Sequence, residues 1–392
     1  MRTSRVISLL SAMLIAMVAL AARPDTTVYF VNVYPGPAIY ELEGHSAIMV
    51  DTGNGTPMVY NYGVFDFDAP NFVYRFVSGQ TDYIVAAYPF EYFVDSYRRQ
   101  GRRVVALELD MNPEQKAALT NYLANNILPQ NRTYRYNYVK DNCATRPLRI
   151  VELAMGDSIL LAPAPFEANS SLQPTFRNVM RLYHRNYPWY QLGIDMALGS
   201  GIDYILNRRE LAFAPAELDI MLQNAKAGDK PLVKNTLVIT DFAPDAAIEG
   251  ATPWYLHPFT IFSAVFILAV CLTVRDIRRK TVTRWFDAAF FGLLGIAGLI
   301  LTFLIFISVH EATSPNLLYF WLNPLCLLVP ALIWLKKCKG FLIWYQIVNF
   351  AVLIALSALW AWLPQSGNPA FIPLIGAELI RSGSYIYINI RK

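Results

Sequence analysis

Cys143 is the residue best placed in this sequence for covalent chemistry. It stands in YVKDNCATRPLRIVELAM, residues 138–155, directly after Asp141 and Asn142, either of which can cap a helix whose first residues include the cysteine and whose apolar face is Leu148, Val151 and Met155. A thiol at a helix start feels the positive end of the dipole and unpaired backbone N–H groups, which favour the thiolate and supply part of an oxyanion site beside Asn142. The chain has four cysteines. Cys271 and Cys326 fall inside long apolar runs and Cys338 lies among Lys336, Lys337 and Lys339, so Cys143 has no disulfide partner in its own region. Its bland alternative is a small buried hydrophobe.

A thiol nucleophile needs a base, and the sequence offers four histidines. His257 and His310 sit at the ends of apolar runs, His184 lies in LYHRNY among helix-surface residues, and His45 opens a strand-like segment after Gly44. In papain-like cysteine enzymes the base begins a strand that faces the nucleophile's helix, which suits His45 and Cys143; the His-before-Cys order is that of the circularly permuted branch. A third group should orient the imidazole. If the loop DTGNGTP, residues 51–57, makes a hairpin that pairs Val50 with Met58, opposed residues have numbers that sum to about 108, and Asn61 shares a face with His45. A one-residue slip presents Tyr62 instead, and Glu43 and Asp66 are further candidates. Arg146, one turn beyond the cysteine, is a candidate partner for a phosphate, against the plain reading of a solvated helix arginine. The scattered histidines and cysteines give no metal-ligand spacing, so no metal and no other cofactor is expected; no glycine-rich phosphate loop or basic aromatic patch points to a nucleotide or nucleic acid.

The elements that must position these residues follow from composition and periodicity. Of 392 residues 55% are hydrophobic and only 16% charged, too apolar for an ordinary soluble enzyme. Segments 27–34, 45–50, 58–63, 82–88 and 103–109 are short and rich in β-branched and aromatic residues, which predicts a mostly antiparallel sheet. Asn112, Pro113 and Gln115 have the spacing of a capping box that opens a helix. Residues 24–173 are then a catalytic α+β domain, and 174–255 a helical subdomain followed by an extended link. Residues 256–392 are an all-α polytopic membrane domain, with apolar runs at 257–275, 285–309, 317–335, 340–362 and 370–389. Joints holding Arg275–Lys280 and Lys336–Lys339 alternate with HEATSPN and LPQSGNPA, which contain no Lys or Arg, so the first set faces the cytoplasm and residues 24–255 lie outside. Residues 1–23 read as a cleaved signal peptide or a retained anchor. Glu378 and Arg381, three residues apart in the last run, can neutralise each other or serve a function.

The stretches IYELEGHSAIMV, VYNYGVFDFDAPNFVYRFVSGQTDY, LPQNRTYRYNYVKDNCATRPLRIVE, PWYQLGIDMALGSGIDY and HEATSPNLLYFWLNPL together resemble the Lnb family of bacterial membrane proteins, in order and over nearly the whole chain. The resemblance implies a permuted NlpC-like, papain-like periplasmic domain fused to the membrane domain, in the inner membrane. The activity it implies is lipoprotein N-acyl transfer, from a membrane phospholipid to the α-amino group of a diacylglyceryl-cysteine lipoprotein. Carried over, His45 in GHSA is the base, Cys143 in DNCATR the nucleophile, and the strand with Tyr60 and Tyr62 lines the site. His310, Thr313 and Asn316 lie on the outer face, where they meet lipid head groups or the Cys–His pair, or merely form a polar turn. A membrane-tethered cell-wall peptidase or amidase and a non-catalytic scaffold are the competing readings; several spans argue for lipid substrates over the first, and the Cys–His arrangement argues against the second.

Overall fold

The computed structural model describes residues 26–390 except 67, 69, 157 and 158; the predicted signal or anchor segment 1–23 lies outside them. The chain divides into two units. One comprises the residues up to Phe72, Thr81–Pro174 and Leu206–Glu249; the other comprises Val73–Gln80, Thr175–Ile205 and the chain from Gly250 onward.

The first unit is built on a seven-stranded antiparallel sheet. Its strands are β1 (Thr27–Val33), β2 (His45–Asp51), β3 (Met58–Val64), β4 (Asp82–Pro89), β5 (Val104–Leu109), β6 (Thr133–Arg135) and, after the short strands β7 (Ile159–Leu160), β8 (Lys226–Ala227) and β9 (Lys230–Pro231) of a second sheet, β10 (Val233–Thr240). The order is β10-β5-β1-β2-β3-β4-β6. β1 reads as a nearly continuous apolar run because it is central and covered on both faces, with Val28, Phe30 and Val31 wholly buried. On one face Val31, Val33, Ala47, Met49, Val59, Val104 and Ala106 pack under Phe93 and Val94 of the helix Phe90–Arg99. Burial of each of the larger of these side chains contributes roughly 1.5–3 kcal/mol, so one charge at Val31 would undo the layer. β2 and β3 pair as Ala47↔Asn61, Ile48↔Tyr60, Met49↔Val59 and Val50↔Met58, the register in which numbers sum to 108. The helix Pro113–Asn126 opens on the expected capping box: Gln115 N–H donates to Asn112 Oδ1 at 2.8 Å and Asn112 N–H to Gln115 Oε1 at 2.9 Å.

Residues 174–255 do not form a subdomain and a link. Residues 206–249 belong to the sheet unit, where the helix Pro215–Gln223 buries Leu218, Met221 and Leu222 and β10 closes one edge by pairing with β5. The supposed link is a strand because VKNTLVIT is rich in β-branched residues; its exposed side chains are those of an edge, which hid it.

Among the described residues three helices, all in the second unit, are long and apolar enough to cross a membrane: Pro258–Arg279, Arg284–Phe306 and Lys336–Trp362. The expected run at 317–335 is broken instead into the turns Leu317–Phe320 and Pro324–Leu327 and the helix Leu328–Leu332. Asn316 and Asn323 start the turns by accepting from the N–H groups of Leu318 and Leu325, at 3.1 and 3.0 Å, and Pro324 and Pro330 deny the backbone the donors of a continuous helix. This segment lies against Arg284–Phe306 at Gly298, where an added Cβ would fall 2.3 Å from the Asn323 carbonyl carbon. The last helix, Phe371–Ile390, carries Glu378 and Arg381, both buried. They do not neutralise each other. Arg381 donates to Asp287 Oδ1 at 2.6 Å, Asp276 Oδ2 at 2.9 Å and Thr273 Oγ1 at 3.0 Å, whereas Glu378 Oε1 accepts from Asn349 Nδ2 at 2.9 Å. Residues three apart share a helix face and could pair, but the neighbouring helices offer each of these two a better partner.

Candidate active site

The turn before the cysteine helix is fixed by Asn142. Its Oδ1 accepts from the N–H groups of Ala144 and Thr145, each at 2.9 Å, and its Nδ2 donates to the carbonyls of Tyr138 and Phe213, each at 2.8 Å. The helix therefore begins at Thr145, and Cys143 sits in the turn ahead of it rather than inside its first turn. The same satisfaction removes Asn142 as an oxyanion donor, since both amide hydrogens are spent on carbonyls and its own N–H donates to Thr145 Oγ1.

Three groups stand around Cys143. The backbone N–H of Ser46 and the hydroxyl of Tyr136 hydrogen-bond it, and Gly63 lies beside it with φ +90°, so that an added Cβ would stand 3.5 Å from Cys143 Cβ and 3.5 Å from the Tyr136 ring. Gly63 falls where the β3–β4 register shifts between Asn61 and Val64; a bulge with a left-handed residue turns the strand around the thiol. Burial pushes the thiol up to about 11, against the pull of the Ser46 N–H and the Tyr136 hydroxyl, with the Glu43 carboxylate adding to the rise. Burial also holds the Tyr136 phenol well above its usual range, so its hydroxyl stays a donor.

His45 is the residue before Ser46, at the start of β2 and opposite Val33. Its Nε2 lies 2.6 Å from Asn61 Oδ1. An amide oxygen only accepts, so Nε2 carries the proton and Nδ1 keeps the lone pair a base requires. Burial lowers the imidazole to about 4, opposed by the Asn61 bond and helped by the Arg102 charge. Tyr97 lies near both groups: its ring centroid is 6.4 Å from that of His45, and its phenol feels a Cys143 thiolate. Between about pH 4 and 11 the resting pair is thus neutral, an imidazole and a thiol.

Ser46 is itself braced from beneath the sheet. Its hydroxyl donates to Asn32 Oδ1 at 2.8 Å, Asn32 Nδ2 donates to Asp219 Oδ1 at 2.8 Å, and Tyr34 donates to Asp219 Oδ2 at 2.7 Å. Ser46, Asn32 and Asp219 are all buried.

The other sequence candidates serve structure. Tyr62 is wholly buried and donates to Asn126 Oδ1 at 2.8 Å, on the face of β3 opposite to Asn61; Tyr60 alternates with Asn61 in the same way. Glu43 accepts from Tyr138 at 2.6 Å, and Asp66, exposed, accepts from the Asp68 N–H. Arg146 is not held toward a phosphate: both its Nε and Nη2 donate to Asp141 and its guanidinium lies 3.7 Å from the Tyr134 ring centroid. In the second unit His310 Nε2 bonds the Phe76 carbonyl at 2.8 Å. Thr313 donates to the Leu304 carbonyl at 2.7 Å, and Asn316 Nδ2 donates to the Met196 carbonyl at 2.9 Å. His184 is not on a helix surface but wholly buried, with Nδ1 2.7 Å from Gln191 Oε1, and His257 Nε2 bonds the Thr252 carbonyl at 2.9 Å. Sequence reasoning missed Tyr136, Ser46, Asn32 and Asp219. The lone Asn32 within the apolar run TVYFVNVY and Asp219 within PAELDIML were visible signals, because a polar residue on a buried face requires a partner.

Comparison with known proteins places both units. The family model described as the Lnb N-terminal periplasmic domain matches residues 20–179, and that of the Lnb transmembrane domain matches residues 250–392. No curated protein and no solved structure matches the chain. With both domains matched in order, a sheet-rich periplasmic domain joined to a helical transmembrane domain, the chain belongs to the Lnb family.

Proposed function

We propose that the protein is a multi-pass inner-membrane lipoprotein N-acyltransferase that carries a fatty acyl chain on Cys143. The observation that carries this reading is the action on one sulfur of the Ser46 N–H and the Tyr136 hydroxyl, with Ser46 directly following a histidine whose Nε2 is held by Asn61. His45 Nδ1 takes the thiol proton as the sulfur attacks an ester carbonyl of a membrane phospholipid. The carbonyl oxygen becomes an oxyanion, for which the N–H and O–H donors around the sulfur are the available partners. Collapse expels the lysophospholipid oxygen, which takes the proton from the imidazolium, and leaves a Cys143 thioester. The α-amino group of a diacylglyceryl-cysteine lipoprotein then attacks the thioester, His45 removes its proton, and the thiolate leaves and is reprotonated. Asn61 is the residue that keeps the imidazole in the tautomer this cycle needs.

Neutral, half-buried groups suit such a cycle. A permanent thiolate would have to be desolvated at every encounter with a lipid, whereas a thiol and an imidazole become charged only once the ester is in place. The test is the intact mass of purified protein after incubation with phospholipid and no acceptor. Wild type should gain one fatty-acyl mass that neutral hydroxylamine removes, and Cys143→Ala should gain none. If rapid quenching reveals no adduct on wild type, the thioester mechanism is wrong and hydrolytic chemistry at the same pair becomes the better reading.

A further inference from the structure

The segment between β3 and β4 carries an apolar surface that the catalytic scheme does not use. Its helix Phe72–Val77 has no buried residue, and Val73, Tyr74 and Phe76 are 72%, 57% and 49% exposed. Residues 73–80 pack within the transmembrane unit. The Val309 N–H donates to the Ser78 carbonyl at 2.9 Å, His310 Nε2 bonds the Phe76 carbonyl at 2.8 Å, and the Tyr74 and Phe303 rings lie 6.0 Å apart. At Gly79, φ +74°, an added Cβ would stand 3.1 Å from the His310 nitrogen, so the two stretches of backbone lie close together.

The segment is thus fastened to the end of the apolar helix Arg284–Phe306, and that end is apolar too: Phe306, Ile307 and Val309 are 68%, 56% and 59% exposed. Exposed large side chains that cluster in this way, rather than scatter singly, mark a surface meant to be covered. The cover is indicated by continuity, because the neighbouring surface is the side of a helix in the matched transmembrane domain. Residues 73–80 also fall within the matched periplasmic domain, which makes this the periplasmic end of the helix. The absence of Lys and Arg from residues 308–316 agrees.

We infer that the helix Phe72–Val77 lies in the periplasmic leaflet, with Val73, Tyr74 and Phe76 among lipid chains as an extension of the lipid-facing surface of Arg284–Phe306. The tyrosine suits the boundary, its ring apolar and its hydroxyl wet.

The test uses the full chain in lipid vesicles, with Cys143, Cys271 and Cys338 replaced by serine and an environment-sensitive fluorophore attached at Val73→Cys or, separately, Phe76→Cys. Leu153→Cys, at a residue 67% exposed on the cysteine helix, is the aqueous control. Embedding requires emission from the first two sites to be quenched by nitroxide-bearing lipid and spared by iodide, with the reverse at the control. Iodide quenching at positions 73 and 76 without nitroxide quenching would overturn the inference. So would protection from both quenchers that depends on protein concentration, which would instead mark a contact between copies of the chain. Two separate sites guard against one substitution that misfolds.

Discussion

The resting charge of the Cys143–His45 pair can be read directly by titrating the thiol. With burial holding the thiol at about 11, only about 0.1% is thiolate at pH 8, against about a tenth for a thiol at the ordinary 9.0, so alkylation of Cys143 should run roughly a hundredfold slower than that of an unburied thiol. The sign follows from the same values. Because the imidazole is lowered to about 4, no cation stands beside the sulfur to favour the thiolate as pH rises through neutrality. The rate should therefore climb about tenfold per unit from pH 6 to 9 with no plateau. Tyr136→Phe removes one hydroxyl that favours the thiolate. A hydrogen bond to a charged group contributes about 1.5–3 kcal/mol, so the variant should react roughly 10- to 150-fold more slowly at each pH. The assay is iodoacetamide alkylation of the detergent-solubilised chain over this pH range, with the Cys143 peptide quantified by mass spectrometry so that the other cysteines do not interfere. Limited access would shift every rate together and leave the slope intact. A plateau of high reactivity between pH 5 and 8 would reveal a preformed thiolate–imidazolium pair and refute the account, as would a Tyr136→Phe profile identical to wild type.

Substitutions at two other positions probe the supports. Asp219→Ala strips the acceptor from Asn32 and Tyr34, leaving buried donors unpaired at about 1–3 kcal/mol; the sheet unit should melt earlier, and the Cys143 alkylation rate should fall because the Ser46 N–H is no longer braced. Arg381→Leu leaves Asp287 buried without its cation and Asp276 with Arg275 alone, which should cost about 3–5 kcal/mol and lower the thermal unfolding midpoint in detergent, while Arg381→Lys should recover part of the loss.

The sequence revealed most where local rules and burial agree. β2 and β3 were legible because a hairpin loop of turn residues fixes their register, and that register alone put Asn61 on the face of His45. The helix at Pro113 was legible from its cap. What stayed hidden depends on contacts between distant parts of the chain. Asp219 meets Asn32 across 187 positions, and nothing near either residue announces the other. Arg146 lies where a phosphate ligand would be sought, yet Asp141, five residues back, takes its guanidinium. Likewise Arg381 passes over Glu378 for carboxylates on two other helices. The broken run at 317–335 was missed because hydropathy weighs side chains and ignores whether Asn323–Pro324 permits a helix at all.

The buried arginine in the last helix also bears on how the protein is made. Insertion of a lone helix with a central arginine costs roughly 2.5–3.5 kcal/mol, and the buried Asp287, on a helix synthesised earlier, lacks its cation until then. Arg275 already pairs with Asp276, whereas the cation on Asp287 is Arg381, so Asp287 awaits the final helix as it leaves the ribosome. The C-terminal helix then acts as a completion check: a chain truncated before Arg381 would hold the Asp287 carboxylate uncompensated inside its bundle, a defect by which quality-control proteases could recognise an unfinished molecule.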